Sequence, residues 1–128
     1  MGKKILVVDD DPDLVETTSI ILKSKKYDVI AAYGGIEGLE KARNEKPDLI
    51  VLDVMMPDKD GYTVCRELKA DPDLSGIPVL LLTAVVANIP TTRFTQRMGM
   101  ETEADDFIDK PVEPHVLVER IEALLAKQ

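Results

Sequence analysis

The residues of this chain with the chemistry to act together are Asp9, Asp10 and Asp11 in a row, then Asp53, Thr83 and Lys110. Each sits at the end of a short run: ILVV precedes Asp9, LIVL precedes Asp53, VLLL precedes Thr83, and DFID precedes Lys110. Apolar residues in succession, rather than in alternation, mark strands covered on both faces. In an open parallel sheet, ligands bind beyond the carboxyl ends of the strands, which is where these polar groups fall. A dinucleotide-binding fold places glycines after its first strand, so that a phosphate can approach a helix N-terminus. Carboxylates in that place repel phosphate, and the conflict disappears if a cation sits between them. Carboxylates crowded at a sheet edge also raise the pKa of at least one of their number unless a divalent ion neutralises them. Mg²⁺ takes oxygen ligands and commonly bridges carboxylates to a phosphoryl group. An Asp beside such an ion can act as a nucleophile and form an acyl phosphate. Lys110 together with Mg²⁺ can face the moving phosphoryl oxygens, and the Thr83 hydroxyl can donate a hydrogen bond to one of them.

The elements that must position these groups follow from the same pattern. Strands are expected over residues 4–9, 28–32, 48–53, 79–83 and 106–109. Asp11 reads as a helix N-cap with Pro12 at the first helical position, and Leu14, Val15, Thr18, Ile21 and Leu22 form an apolar stripe to about Ser24. Gly34-Gly35 turns into a helix carrying Ile36, Leu39 and Ala42, and residues 55–61 form a loop ahead of a helix over 62–69. Asp71-Pro72 and Gly76-Ile77-Pro78 bracket a turn, a less regular segment follows Thr83, and the last helix runs from about 114 to 126. Strands alternating with helical segments give an α/β fold, a doubly wound five-stranded sheet that is mostly or wholly parallel.

Composition narrows the functional classes. A chain of 128 residues fits one domain, and 45% apolar with 31% charged residues suits a soluble globular protein. Cys65 is the sole cysteine, which rules out an internal disulfide and a cysteine-rich zinc site. No run approaches the ~18 apolar residues of a membrane span, and the acidic N-terminal segment does not suit a signal peptide. A net charge of −8 lacks the electrostatic footprint of a nucleic-acid binder. The expectation is a cytoplasmic protein that contacts neither membrane nor nucleic acid.

The segments ILVVDDDP, DLIVLDVMMPDKDGY, VLLLTA and DDFIDKP resemble, in order and position, the defining motifs of response-regulator receiver domains of two-component signalling systems. The resemblance covers the whole chain and implies one receiver domain over residues 1–128, with a CheY-like, flavodoxin-like (βα)5 sheet in the order 2-1-3-4-5. It implies that Asp9 and Asp10 organise Mg²⁺, Asp10 as a direct ligand, with Asp53 and the Met55 backbone carbonyl as further ligands. It implies that Asp53 accepts a phosphoryl group from a sensor histidine kinase or histidine phosphotransfer protein. Thr83 resembles the family's switch hydroxyl, Phe107 its switch aromatic, and Lys110 its phosphate-binding lysine, usually joined to the next proline by a cis bond. Phosphorylation would draw Thr83 toward Asp53, let Phe107 turn inward, and remodel the surface of the fourth helix, fifth strand and fifth helix for a downstream protein target. On this reading the chain is no enzyme but a Mg²⁺-dependent phosphoacceptor that takes part in its own phosphorylation and dephosphorylation.

Two departures from the family pattern stand out. Residues 85–103 (VVANIPTTRFTQRMGMETE) are more numerous than usual and carry Pro90 and Gly99 where the family has an Ala-Gly-Ala turn. The fourth helix is therefore expected to be displaced, shortened or preceded by an extra loop, giving an atypical output surface. The positions that flank the phosphoryl group in this family hold Met55 and Val85. Neither can orient an attacking water, so slow self-dephosphorylation is expected.

Taken singly, these residues have ordinary structural uses. Aspartates cap helices and form turns, Thr is a common strand residue, and lysines coat surfaces. His115, the sole histidine, reads as a surface residue, Cys65 as a small core residue, and Phe107 as core in the resting state. An aspartate-nucleophile phosphatase of the haloacid-dehalogenase kind would carry a second Asp two residues after its nucleophile, where this chain has Met55. A phosphorylation-independent pseudo-receiver would not need the full set of Asp9, Asp10, Asp53, Thr83 and Lys110. A flavodoxin-like cofactor carrier would want aromatics, yet the chain has no Trp, three Tyr and two Phe.

Overall fold

In chain order the elements are β1 (Lys4–Val8), α1 (Pro12–Ser24), β2 (Asp28–Ala32), α2 (Gly35–Glu45), β3 (Leu49–Asp53), α3 (Gly61–Ala70), β4 (Val79–Thr83), β5 (Asp106–Asp109) and α4 (Pro114–Ala126). The computed structural model describes residues 2–83 and 104–127, so the helix expected within residues 85–103 lies outside the described residues. The strands form one parallel sheet in the order β2-β1-β3-β4-β5, as the motif resemblance implies. Strands β3 and β4 are buried throughout and β1 nearly so, which is what uninterrupted apolar runs require. The edge strands β2 and β5 are only partly buried.

Alternation along each strand divides the core into two layers. Ile5, Val7, Val51, Leu80 and Leu82 pack with Val15 and Leu22 of α1 and with Leu117 and Ile121 of α4. Leu6, Val8, Ile50, Leu52 and Leu81 pack on the other face with Leu39 of α2 and with Val64, Cys65 and Leu68 of α3. Each large aliphatic side chain so buried contributes roughly 1.5–3 kcal/mol before the entropy of ordering is counted.

The strand ends differ slightly from the sequence expectation, and polar side chains explain where. Strand β1 stops at Val8 rather than Asp9, because the Asp9 carboxylate accepts the Asp11 N–H at 3.0 Å and turns the chain. Strand β3 starts at Leu49 rather than Asp48, whose carboxylate instead accepts the Lys4 N–H at 2.7 Å. Helix α3 is one residue longer at each end than the expected 62–69, with the Asp60 carboxylate accepting the Thr63 N–H at 2.9 Å. Asp11 caps α1 as expected, accepting the N–H groups of Asp13 and Leu14.

Ile36 does not join the buried stripe of α2: it is 51% exposed. The helix instead buries Gly35, Gly38, Leu39 and Ala42. A Cβ at Gly38 would lie 2.8 Å from a Val8 methyl, so the absent side chain is what allows the close approach. On the same face, Lys69 Nζ donates to the carbonyls of Ser75 (3.2 Å) and Ile77 (3.0 Å) and to Asp105 Oδ2 (3.0 Å). Asp105 Oδ2 also accepts the Val79 N–H at 2.8 Å, which ties α3, the following turn, β4 and the entry to β5 together.

Candidate functional site

Strands β1 and β3 are neighbours with Val8 opposite Leu52, so Asp9 and Asp53 emerge side by side at the carboxyl edge of the sheet. Carboxylate oxygens of Asp9, Asp10 and Asp53 all lie within 4.8 Å of one another. Asp9 and Asp53 are each 2% exposed, whereas Asp10 is open to solvent. Behind Asp53, α3 begins at Gly61, where a Cβ would collide with the Asp53 carbonyl oxygen and stand 2.8 Å from Val54 Cα. Only glycine lets that helix start so close to the strand that carries the aspartate.

Lys110 arrives from the other side. Its backbone N–H donates to the Thr83 carbonyl at 2.7 Å, and the Lys110–Pro111 peptide is cis. Its ammonium stands 2.7 Å from Asp53 Oδ1 and 3.7 Å from Asp9 Oδ2. Both of those oxygens are buried, and the Lys110 ammonium is the cation paired with them. Burial pushes the Asp9 carboxyl up to about 6; the Asp11 N–H pulls against that shift and the Asp53 charge adds to it. Burial also disfavours the Lys110 ammonium, but the carboxylates of Asp53 and Asp9 outweigh it and hold the lysine above its ordinary range. One ammonium thus pairs with two buried members of a cluster of three crowded carboxylates. Such an all-oxygen, net-negative cluster fits a hard divalent cation.

Thr83 ends β4 beside this cluster and is 7% exposed. Its hydroxyl donates to Asp109 Oδ1 at 2.6 Å, with the Ile108 carbonyl a more distant 3.4 Å away. Phe107 on β5 is half-buried against the α2–α3 layer, and its carbonyl accepts Arg120 Nη1 at 3.3 Å. Arg120 also pairs with Asp106 at 2.8 Å. The Met55 side chain is 64% exposed at the start of the loop after Asp53, and Val85 lies outside the described residues. Asp11 serves α1, Cys65 is buried in the core, and His115 is on the surface.

Two acidic residues near the site escaped the sequence reading. Asp58, in the loop after β3, accepts the N–H groups of Gly35 (3.1 Å) and Ile36 (3.0 Å) and so caps α2 from another part of the chain. The hydrogen bond from Ile36 chiefly, with that from Gly35, holds its carboxyl below the ordinary range. The partners are more than twenty residues apart, so no local spacing announces them. Asp109 is the other, hidden in sequence within the strand pattern DFID.

Residues 5–122 match the family model of the response regulator receiver domain. The chain belongs to that family. The receiver domain is 43% identical over 127 residues to the alkaline phosphatase synthesis transcriptional regulatory protein PhoP of Bacillus subtilis (strain 168), covering 99% of this chain and 50% of that protein. It is 39% identical over 127 residues to the DNA-binding response regulator MtrA of Mycolicibacterium smegmatis, covering 99% and 52%. It therefore spans about half the length of these curated relatives. Among solved structures, the signal receiver domain of a signal transduction histidine kinase from Syntrophus aciditrophicus superposes with a TM-score of 0.88 at 37% identity, covering 98% of this chain and 92% of that one. The receiver domain thus belongs to two-component signal transduction. Among its described residues, no helix is long and apolar enough to cross a membrane.

Proposed function

We propose that this receiver domain, acting as one unit over residues 1–128, takes a phosphoryl group from a phosphohistidine of a sensor kinase or phosphotransfer protein onto Asp53. An Asp53 carboxylate oxygen forms the new bond to phosphorus as the bond from phosphorus to the histidine nitrogen breaks. Asp9, Asp10, Asp53 and the Met55 backbone carbonyl are the residues that would hold Mg²⁺, which supplies charge neutralisation for the incoming phosphoryl oxygens. Lys110, already paired with Asp53, faces the remaining negative charge. Thr83 then donates its hydroxyl to a phosphoryl oxygen, and the region of Phe107 responds with a changed surface for a downstream protein.

The observation that carries this reading is Asp53 itself: a carboxylate 2% exposed, 2.7 Å from an ammonium and grouped with two further carboxylates. An aspartate-nucleophile phosphatase is disfavoured because those enzymes carry the nucleophile on their first strand, whereas Asp53 ends β3. The test is intact-mass analysis after incubation with acetyl phosphate and Mg²⁺, with Asp53→Asn in parallel. A phosphoryl adduct is expected on wild type alone, and only with the metal present. An unmodified wild-type chain would instead favour a phosphorylation-independent docking module.

A further inference from the structure

Thr83 and Asp109 face each other across the last rung of the β4–β5 ladder. The Thr83 hydroxyl has one proton, and that proton points to Asp109 Oδ1 at 2.6 Å. A hydroxyl-to-carboxylate bond this short belongs to the stronger, charge-assisted class. The alternative acceptor on the same side, the Ile108 carbonyl, is 3.4 Å away and contributes little. Asp109 is exposed and its partner hydroxyl is 7% exposed, so the bond lies at the boundary between site and solvent. Asp109 also directly precedes Lys110, whose ammonium faces Asp53. One strand end therefore presents the cation that faces the acceptor and the anion that holds the neighbouring hydroxyl.

We propose that Asp109 is a latch that holds the Thr83 hydroxyl in the resting orientation and competes for it with a phosphoryl group on Asp53. The proposal rests on the phosphoacceptor reading above. One proton cannot serve both acceptors, so whatever free energy the Thr83–Asp109 bond contributes at rest opposes the phosphorylated-like arrangement. Asp109 is thus a positioning residue that acts through Thr83 and does not itself touch the reacting atoms.

Two measurements test it together. In metal-free protein, three-bond couplings to the Thr83 γ-methyl carbon report its χ1 rotamer. A single rotamer is expected in wild type and averaged couplings in Asp109→Val, with Asp109→Asn, a neutral acceptor, between them. In the presence of Mg²⁺, beryllofluoride serves as the phosphoryl stand-in, and Asp109→Val should bind it roughly three- to tenfold more tightly than wild type, a charged hydrogen bond discounted for exposure. In a Thr83→Ala background, where binding is weaker overall, the same Asp109→Val change should bring no gain. A gain that persists there would overturn the latch, since it would show relief of negative charge near the site without help from Thr83. Wild type that binds beryllofluoride while Asp109→Val changes neither rotamer nor affinity overturns the latch alone. Wild type that fails to bind it overturns the phosphoacceptor reading and the competition with it.

Discussion

Asp9 holds its proton more tightly in the folded protein than in the unfolded chain. Burial is the main cause, resisted by the Asp11 N–H and reinforced by the charge on Asp53, and together they move the carboxyl from 3.8 to about 6. Between those values the folded state binds a proton that the unfolded chain has released, so this group's contribution to stability falls as pH rises through the window and stays low above it. Asp9→Asn removes the effect while keeping an oxygen to accept the Asp11 N–H. For metal-free protein at neutral pH, urea unfolding should show the variant roughly 1–2 kcal/mol more stable than wild type, with the difference gone in strong acid. Equal stability at neutral pH would mean that Lys110 already neutralises the carboxylate. At this scale the sequence was informative where a polar residue ended an apolar run, as with Asp9, Asp53 and Thr83, and where a Lys-Pro pair followed a strand, as with Lys110. It was silent on Asp58 and Asp109, because the partner of each lies on another element and only folding brings the two together.

Helix α2 starts on a glycine N-cap that offers no side chain, and the missing acceptor comes from Asp58 in the loop beyond β3. The folded carboxyl lies below its ordinary range, so its stabilisation is present above the unfolded pKa and is lost as pH falls through the lowered folded value. Asp58→Ala should cost about 1 kcal/mol at neutral pH and almost nothing in strong acid, read as the difference between denaturant curves at the two pH values. A pH-independent loss would point to packing rather than to the cap. The elements themselves were legible because their signals are local: unbroken apolar runs for β1, β3 and β4, and Asp-Pro for the start of α1. The orientation of α2 was not, since Ile36 yielded its place to Gly38 for the sake of contact with Val8, a matter of distance to another strand.

Across the whole molecule, alternating strands and helices pointed to a parallel sheet, whereas the order of its strands rested on motif resemblance; the structure bears out both. What joins distant parts is often a single polar side chain. Lys69, 9% exposed at its side chain, serves two carbonyls and Asp105 at once. Lys69→Ala leaves those acceptors without their shared donor and should cost about 2–3 kcal/mol in chemical denaturation, with an unchanged m-value. A cost within error of zero would show that solvent replaces the lysine freely. Strand order has one more consequence. Asp53 rides on β3, the middle strand with a neighbour on each side, whereas Lys110 follows β5, an edge strand paired only with β4 among the described residues. The acidic half of the site is thus held by strands paired on both flanks, whereas the strand leading to the basic half is paired on a single flank.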